Sequence, residues 1–472
     1  MTDADLDAVA ARQLELLLAP PTDEDAASYY DSLLLPNNPG HGDVTVARSD
    51  TYRGRGLFAA RDFTEGERVL REPPRVGIQQ EHNRCDALVC AECFRFVGSI
   101  ERQIATRLLH DSHKDVCEGV VDRRVLEELQ SGVKSLPDSR DFPMPECFEC
   151  HGGCDRNAYC SDACTSNAWS RHERHLCNGP VGGERGLAAT AFVNHAKETN
   201  DIFPLAARVL LETAHRAELN RFAAVAKAKA SNNGSAEIEP EIDVDRCLND
   251  AWRPYAVAHK GTWWEEVSRP ADVAAGAAED EFRNSMKEIA VESLDLLNKV
   301  LAHSDPAMSA RYPGLFTIDV YARVIGMFEL NNLEIAVESL DLLKRVLAHS
   351  DPAMHARYPG LFSIDVYARV IGMFELNNLE IAVASHVEDY FLAVDDKYAD
   401  DSPERKVTGP LLDALDVGYC TPCEGTGFFA LQSCLNSDCD PNVTPLKDDD
   451  DRDGACVLVR FFFLIIVWEF RD

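Results

Sequence analysis

The sequence predicts an α+β protein, on three observations. A strand-patterned segment runs from about residue 43 to 78. A group of ten cysteines follows between Cys85 and Cys177, and a long stretch of helical periodicity comes after it. A chain of 472 residues has room for roughly two to four domains and a sizeable core. Hydrophobic residues make up 45% and charged residues 27%, the balance of a soluble globular protein.

Residues 1–42 are acidic and carry Pro20, Pro21, Pro36 and Pro39, which predicts a short helix around Leu14–Leu18 and then a loop. "VTVAR", "GLFAA" and "RVLREPPRVGIQ" read as strands separated by glycine and charge. Residues 185–230 are Ala/Leu-rich with helical spacing, closed by a polar loop at Ser231–Asp243. A tandem repeat follows. A 46-residue unit starts at Glu288 and again at Glu334, and its copies differ only at Asn298/Lys344, Lys299/Arg345, Ser309/His355 and Thr317/Ser363. Solenoid repeats diverge and number about three or more. Two near-identical copies read instead as a recent exon duplication or an assembly error.

The net charge of −33 and a pI near 4.7 argue against nucleic-acid binding by phosphate neutralisation. They suit basic partners such as Lys/Arg-rich tails, or serve solubility alone. The opening residues lack a basic start and apolar core, so no secretory signal is expected. The longest apolar run, Phe461–Trp468, falls far short of the ~20 residues of a membrane span. Sixteen cysteines without a leader imply a reducing compartment, where cysteine clusters bind metal more often than they form disulfides.

Cys90-x2-Cys93 precedes "CFECHGGCDRNAYCSDACTSNAWSRHERHLC", residues 147–177. Zinc takes four soft ligands at tetrahedral angles, and Cys-x2–4-Cys pairs on tight turns supply two at once. Pairs at ligand spacing, closed by histidine and cysteine, provide donors for two sites. This module resembles a MYND finger, whose distal half "YCSDAC…W…H…C" reproduces. The resemblance implies Cys90, Cys93, Cys160 and Cys164 on one zinc, and Cys150, Cys154, His172 and Cys177 on the other. Cys147 competes with Cys150, and His175 with His172. Closed sites of this kind are structural, stabilising a small module by on the order of 10 kcal/mol.

A strand-rich segment before the finger and "CLNSDCDPN" (Cys434–Asn442) far downstream resemble the SET-and-MYND protein methyltransferases. "YRGRGLFAARDFTEGERVLREPP" matches the SET start. There Arg53, Gly54 and Arg55 would contact S-adenosylmethionine, with glycine admitting the cofactor where a Cβ would block it. "CDALVCAECFRFVGSIERQI", "GMFELNNLEIAVASHVEDYF", "EGTGFFALQSCLN" and "DDDRDGACVLV" are similar to the plant trithorax-related SET proteins with a MYND-like insert, over roughly residues 25–460. In "CLNSDCDPN" the resemblance puts Asn436 and the Ser437 backbone on the adenosine, and Cys439 on a third zinc. Ser437 and Asp438 replace the family's His and Ser.

The implied architecture is a β-rich SET domain split by a MYND-type zinc module and a helical insert. Residues 1–42 are an N-terminal helix and loop, 43–84 the first SET part, and 85–178 the zinc module. The helical insert is 179–380 with repeats at 288–333 and 334–379, the second SET part is 381–460, and 461–472 is an aberrant apolar tail. After "VLV" the family continues into paired glutamates, a tyrosine that orients the target amine and three post-SET cysteines. This chain shows none of them, so no catalytic residue is assigned and the third zinc site is incomplete. The departure predicts a truncated or mis-spliced product, with methyl transfer slowed by orders of magnitude and an aggregation-prone tail.

The expected function is SAM-dependent methylation of histone or other protein lysines, in the nucleus and/or cytoplasm, with two structural zinc ions. The alternative is a MYND adaptor that binds other proteins, proline-containing peptides among them, in chromatin or transcription regulation. Neither direct nucleic-acid contact nor a membrane is expected. Cys420-x2-Cys423 reads as loop thiols rather than a zinc pair, and Asp448–Asp453 as a solvated hairpin loop. Asn377 and Asn378 fall near the cofactor by resemblance, a place Asn331 and Asn332 of the first copy cannot share.

Overall fold

The computed structural model describes residues 3–460 apart from 35, 37, 39, 49–54, 111–119, 232–241, 259–260, 268, 271–272, 330–377, 416–421, 436–442 and 448–454. Helices combine with small antiparallel sheets, so the protein is α+β as expected.

The strands before the cysteine region are β1 (Val44–Arg48), β2 (Arg55–Ala59), β3 (Arg68–Glu72) and β4 (Val76–Gln79). β5 (Phe148–Glu149) and β6 (Ala158–Tyr159) lie within it, followed late in the chain by β7 (Asn378–Val383), β8 (Cys423–Phe428), β9 (Val443–Lys447) and β10 (Cys456–Arg460). β1 and β2 form one pair and β5 and β6 another. The other two sheets join the ends of the chain. β3 pairs with β10, Glu72 opposite Cys456, and β10 pairs with β9. β4 pairs with β8, Val76 opposite Phe428, and β8 pairs with β7. Pro73 and Pro74, which lack N–H donors, separate β3 from β4 and send them into different sheets.

The first helix, α1 (Asp3–Leu18), is longer than expected, and α2 (Asp23–Leu33) occupies residues read as loop. Pro20 and Pro21 stop α1. Thr22 then caps α2, its hydroxyl accepting from the Asp25 N–H above a first turn of Asp23, Glu24 and Asp25 that complements the helix dipole.

In the cysteine region lie α3 (Ile100–Leu109), α4 (Arg123–Gln130) and α5 (Asp162–Ala168). The Ala/Leu-rich stretch is two helices, α6 (Gly183–Thr199) and α7 (Phe203–Ser231), broken where the Asn200 side chain caps the Ile202 N–H at 2.9 Å. α8 (Val244–Ala256), α9 (Ala277–Ser304), α10 (Pro306–Arg311) and α11 (Ile318–Glu329) follow, the last three carrying most of the first repeat copy. Most of the second copy lies outside the described residues. α12 (His386–Lys397) and α13 (Pro403–Leu415) pack with α3 and α4 around Ile104, Leu129, Tyr390 and Leu411.

The largest apolar cluster fuses helices and sheets. Phe203 and Leu210 of α7, Leu297 of α9 and Val324 of α11 share it with Leu70, Val76, Phe428, Leu431 and Leu458. Among the described residues, no helix is long and apolar enough to cross a membrane.

Candidate functional site

Residues 88–97 fold back on themselves. Val89 bridges Phe96, the Cys90 N–H donates to the Arg95 carbonyl and the Phe94 N–H to that of Cys90, with Phe94 at φ +63°. This knuckle presents Cys90 and Cys93 together. Cys160 follows β6, and Cys164 sits in the first turn of α5, where Ser161 caps its N–H at 3.2 Å. The four Sγ atoms lie within 4.8 Å of one another, and Cys160 is 3.5 Å from both Cys93 and Cys164. A tetrahedral zinc with 2.3 Å bonds sets its sulfurs about 3.8 Å apart, so this donor set fits zinc. Donation to Cys160 holds the Cys90 and Cys93 thiols far above the usual cysteine range. Donation from Cys164, and then from Cys90 and Cys93, holds Cys160 far below it. Four sulfurs gathered this closely, three of them buried, form a cluster suited to sharing a cation.

A second group gathers Cys150, Cys154 and Cys177, with Cys150 and Cys177 Sγ 3.6 Å apart. The Gly152 N–H points at the Cys150 sulfur (3.4 Å) and the Gly179 N–H at Cys177 (3.3 Å). Donation from Cys150 and Cys154 brings the Cys177 thiol down to about 3. This set supplies three of the four donors that a closed zinc site uses.

Cys147 is half-buried and outside both groups. His172 and His175 are also outside. Trp169–Glu173 is a π-helical turn, which takes up an extra residue before Cys177. Within it the His172 ring is buried, with Nδ1 3.3 Å from the Glu173 carboxylate, Nε2 3.9 Å from Glu92, and its pKa lowered by burial. His175 contacts Ser304 Oγ through Nδ1 at 2.8 Å and accepts from Arg174 through Nε2 at 2.9 Å.

Buried ion pairs join the module to its surroundings. Arg171 donates to Glu92 beside the knuckle, to Glu212 on α7 and to the Arg75 carbonyl between β3 and β4, at 2.9, 2.6 and 2.6 Å. Arg208 of α7 pairs with Glu173 at 2.8 Å and donates to the Gly77 carbonyl of β4. Burial pushes the Glu173 carboxyl up, but the adjacent His172 ring and the Arg208 guanidinium outweigh it and hold it near 2.

On the cofactor side, Arg53, Gly54, Asn436 and Ser437 lie outside the described residues. So do Asn331, Asn332, Asn377, Cys420, Cys439, Asp448–Asp453 and the apolar tail. Asn378 is placed at the start of β7, opposite Phe428, and Cys423 is buried at the start of β8. Arg55 opens β2, donates to the Val257 carbonyl at 3.3 Å and lies near Asp23. β2 packs on the 3-10 turn Gln432–Cys434, where the Cys434 thiol faces Tyr30 and Arg55. The structure thus brings Arg55 beside the segment that enters Asn436.

No protein-family model matches the chain. Across an alignment of 479 positions that covers 95% of this chain and 88% of the relative, the chain is 31% identical to the histone-lysine N-methyltransferase ATXR2 of Arabidopsis thaliana. It belongs to the histone-lysine N-methyltransferases. The plant likeness read from motifs is borne out over nearly the whole chain.

For this methyltransferase two features had escaped the motifs. The Arg171 and Arg208 network had no signal beyond scattered charge. Glu72 gave none either: it ends β3, is 5% exposed, and accepts the Leu431 and Gln432 backbone N–H groups. Burial pushes its carboxyl up to about 7, against those hydrogen bonds.

Proposed function

We infer that this chain is a SET-type, S-adenosylmethionine-dependent methyltransferase acting on lysine side chains of histone tails or other proteins, in the nucleus and/or cytoplasm. The likeness across 95% of the chain carries the reading. The pairing of β3 and β4 with β10 and β8 supports a SET domain assembled from residues 43–84 and 381–460, with the zinc module (85–178) and helical insert (179–380) between them.

S-adenosylmethionine supplies a methyl group on a sulfonium. The chain's part is to align that group with a neutral lysine amine and keep water away. Arg53, Gly54 and Arg55 would line the cofactor's path, with Asn436 and Ser437 holding its adenosine. Cys90, Cys93, Cys160 and Cys164 would hold one structural zinc. Cys150, Cys154 and Cys177 would hold the second, with His172 as the remaining donor implied by resemblance.

The test is calorimetry of the zinc-loaded chain with S-adenosylmethionine, followed by methyl transfer to core histones. Binding abolished by Asn436→Ala, with methyl-lysine formed, is the expected result. Full zinc content without cofactor binding would overturn it. That outcome would favour the adaptor, which needs only the thiol module gathered here.

A further inference from the structure

The knuckle at residues 88–97 has two faces. Its sulfurs, Cys90 and Cys93, belong to the thiol cluster. Its aromatic rings enter a different one. Phe94 and Phe96 share a buried apolar cluster with Ile381 and Val383 of β7, Cys423 of β8 and Cys456 of β10. Phe94 is 1% exposed and lies so close to β4 that a Cβ on Gly77 would stand 2.8 Å from its ring. Yet Phe94 adopts φ +63°, a left-handed conformation that glycine takes freely and a bulky side chain takes at a cost. The turn alone favours glycine. What phenylalanine adds is the ring, and the ring meets the strands.

A second link runs from the same knuckle. Arg171 stands between Cys164 of the first thiol group and Cys177 of the second. It donates to Glu92, which sits between Cys90 and Cys93, and to the Arg75 carbonyl. The Arg75 N–H in turn donates to the Phe428 carbonyl of β8 at 2.8 Å. β8 takes β4 on one side and β7 on the other, so this sheet joins the early part of the chain to the late part. A metal ion shared by Cys90, Cys93, Cys160 and Cys164 would fix the knuckle at both of its cysteines. We propose that this metal site controls the joining of the β4–β8–β7 sheet. With zinc bound, the knuckle seats the Phe94 ring and the Glu92–Arg171 pair against β4; without it, the two halves of the sheet loosen. The four-thiol group is then a zinc-responsive switch on the whole fold rather than the anchor of a self-contained module. This rests on the zinc site assigned under the proposed function.

The experiment follows hydrogen–deuterium exchange in the full chain, zinc-loaded and after stripping with EDTA, with zinc counted per chain by mass spectrometry. Amides of β4, β7 and β8 should exchange about tenfold faster without zinc, while those of α9 and α11 change by less than about twofold. Phe94→Gly separates the ring from the metal. Glycine suits φ +63°, so this variant should keep its zinc and still show exchange about tenfold faster in β4 and β7. If the stripped chain unfolds throughout, the zinc-loaded variant decides: faster strand exchange supports the proposal and wild-type exchange overturns it. Arg171→Met, read at β4 and β8, decides in the same way if the glycine variant does not fold. Unchanged strand exchange after zinc loss overturns the proposal and leaves the zinc site standing. A chain that holds no zinc at the four thiols overturns both, and the metal count tells the two failures apart.

Discussion

At Gly152 the backbone passes so close to Cys177 that a Cβ would overlap its sulfur, and a Cβ at Gly179 would overlap the Gly152 carbonyl. These glycines let two loops converge on one thiol group. Gly152→Ala should therefore cost the chain its second zinc while sparing the first, read as metal content per chain by mass spectrometry under native conditions. Arg208 presents a different residue-scale case. Its partner Glu173 is buried and ionised, so Arg208→Met leaves a carboxylate without its cation. The expected loss is about 3–5 kcal/mol in urea unfolding, and a loss below about 1 kcal/mol would remove the pair from the account of stability.

Among elements, the knuckle, α5 and the π-turn decide which thiols meet. Cys147 lies three residues before Cys150, yet only Cys150 reaches the sulfurs of Cys154 and Cys177. Cys150→Ser should lower zinc content and Cys147→Ser should leave it unchanged; equal losses from both would contradict this geometry. Cys-x2–4-Cys pairs were legible in the sequence because ligand spacing is a local property of a turn. The segment around Pro73 and Pro74 was legible as strand, but read as a single run; the two prolines break it into β3 and β4, which pair in different sheets. The π-turn was not: one extra residue between His172 and Cys177 shows only as odd spacing until the helix accommodates it. Nor was α2, whose acidic, tyrosine-bearing sequence has a weak helical pattern and depends on the Thr22 cap. Glu72 was hidden because its partners are backbone amides more than 350 positions away.

For the whole molecule, two carboxylates pull stability in opposite directions with pH. Burial lifts Glu72 to about 7, above the ~4.3 of an unfolded glutamate, so its contribution is greatest below about 4.3 and is lost as pH rises through 7. Glu81 is pushed up by burial, but Arg156, Lys197 and Arg84 hold it near 2. Its contribution is present above about 4.3 and is lost as pH falls toward 2. Thermal midpoints should therefore peak in mildly acidic buffer and decline toward pH 8, with the decline flattened in Glu72→Gln. An unchanged slope in the variant would show that other groups set it.

The pairing of early with late strands also sets a schedule for biosynthesis. Val76 leaves the ribosome about 350 residues before Phe428, its partner. At about 5–20 residues per second, β3 and β4 wait roughly 20–70 s with open edges. Arg68, Arg71 and Arg75, with Pro73 and Pro74 between the strands, are the kind of residues that keep such edges from finding the wrong partner while the nascent chain grows.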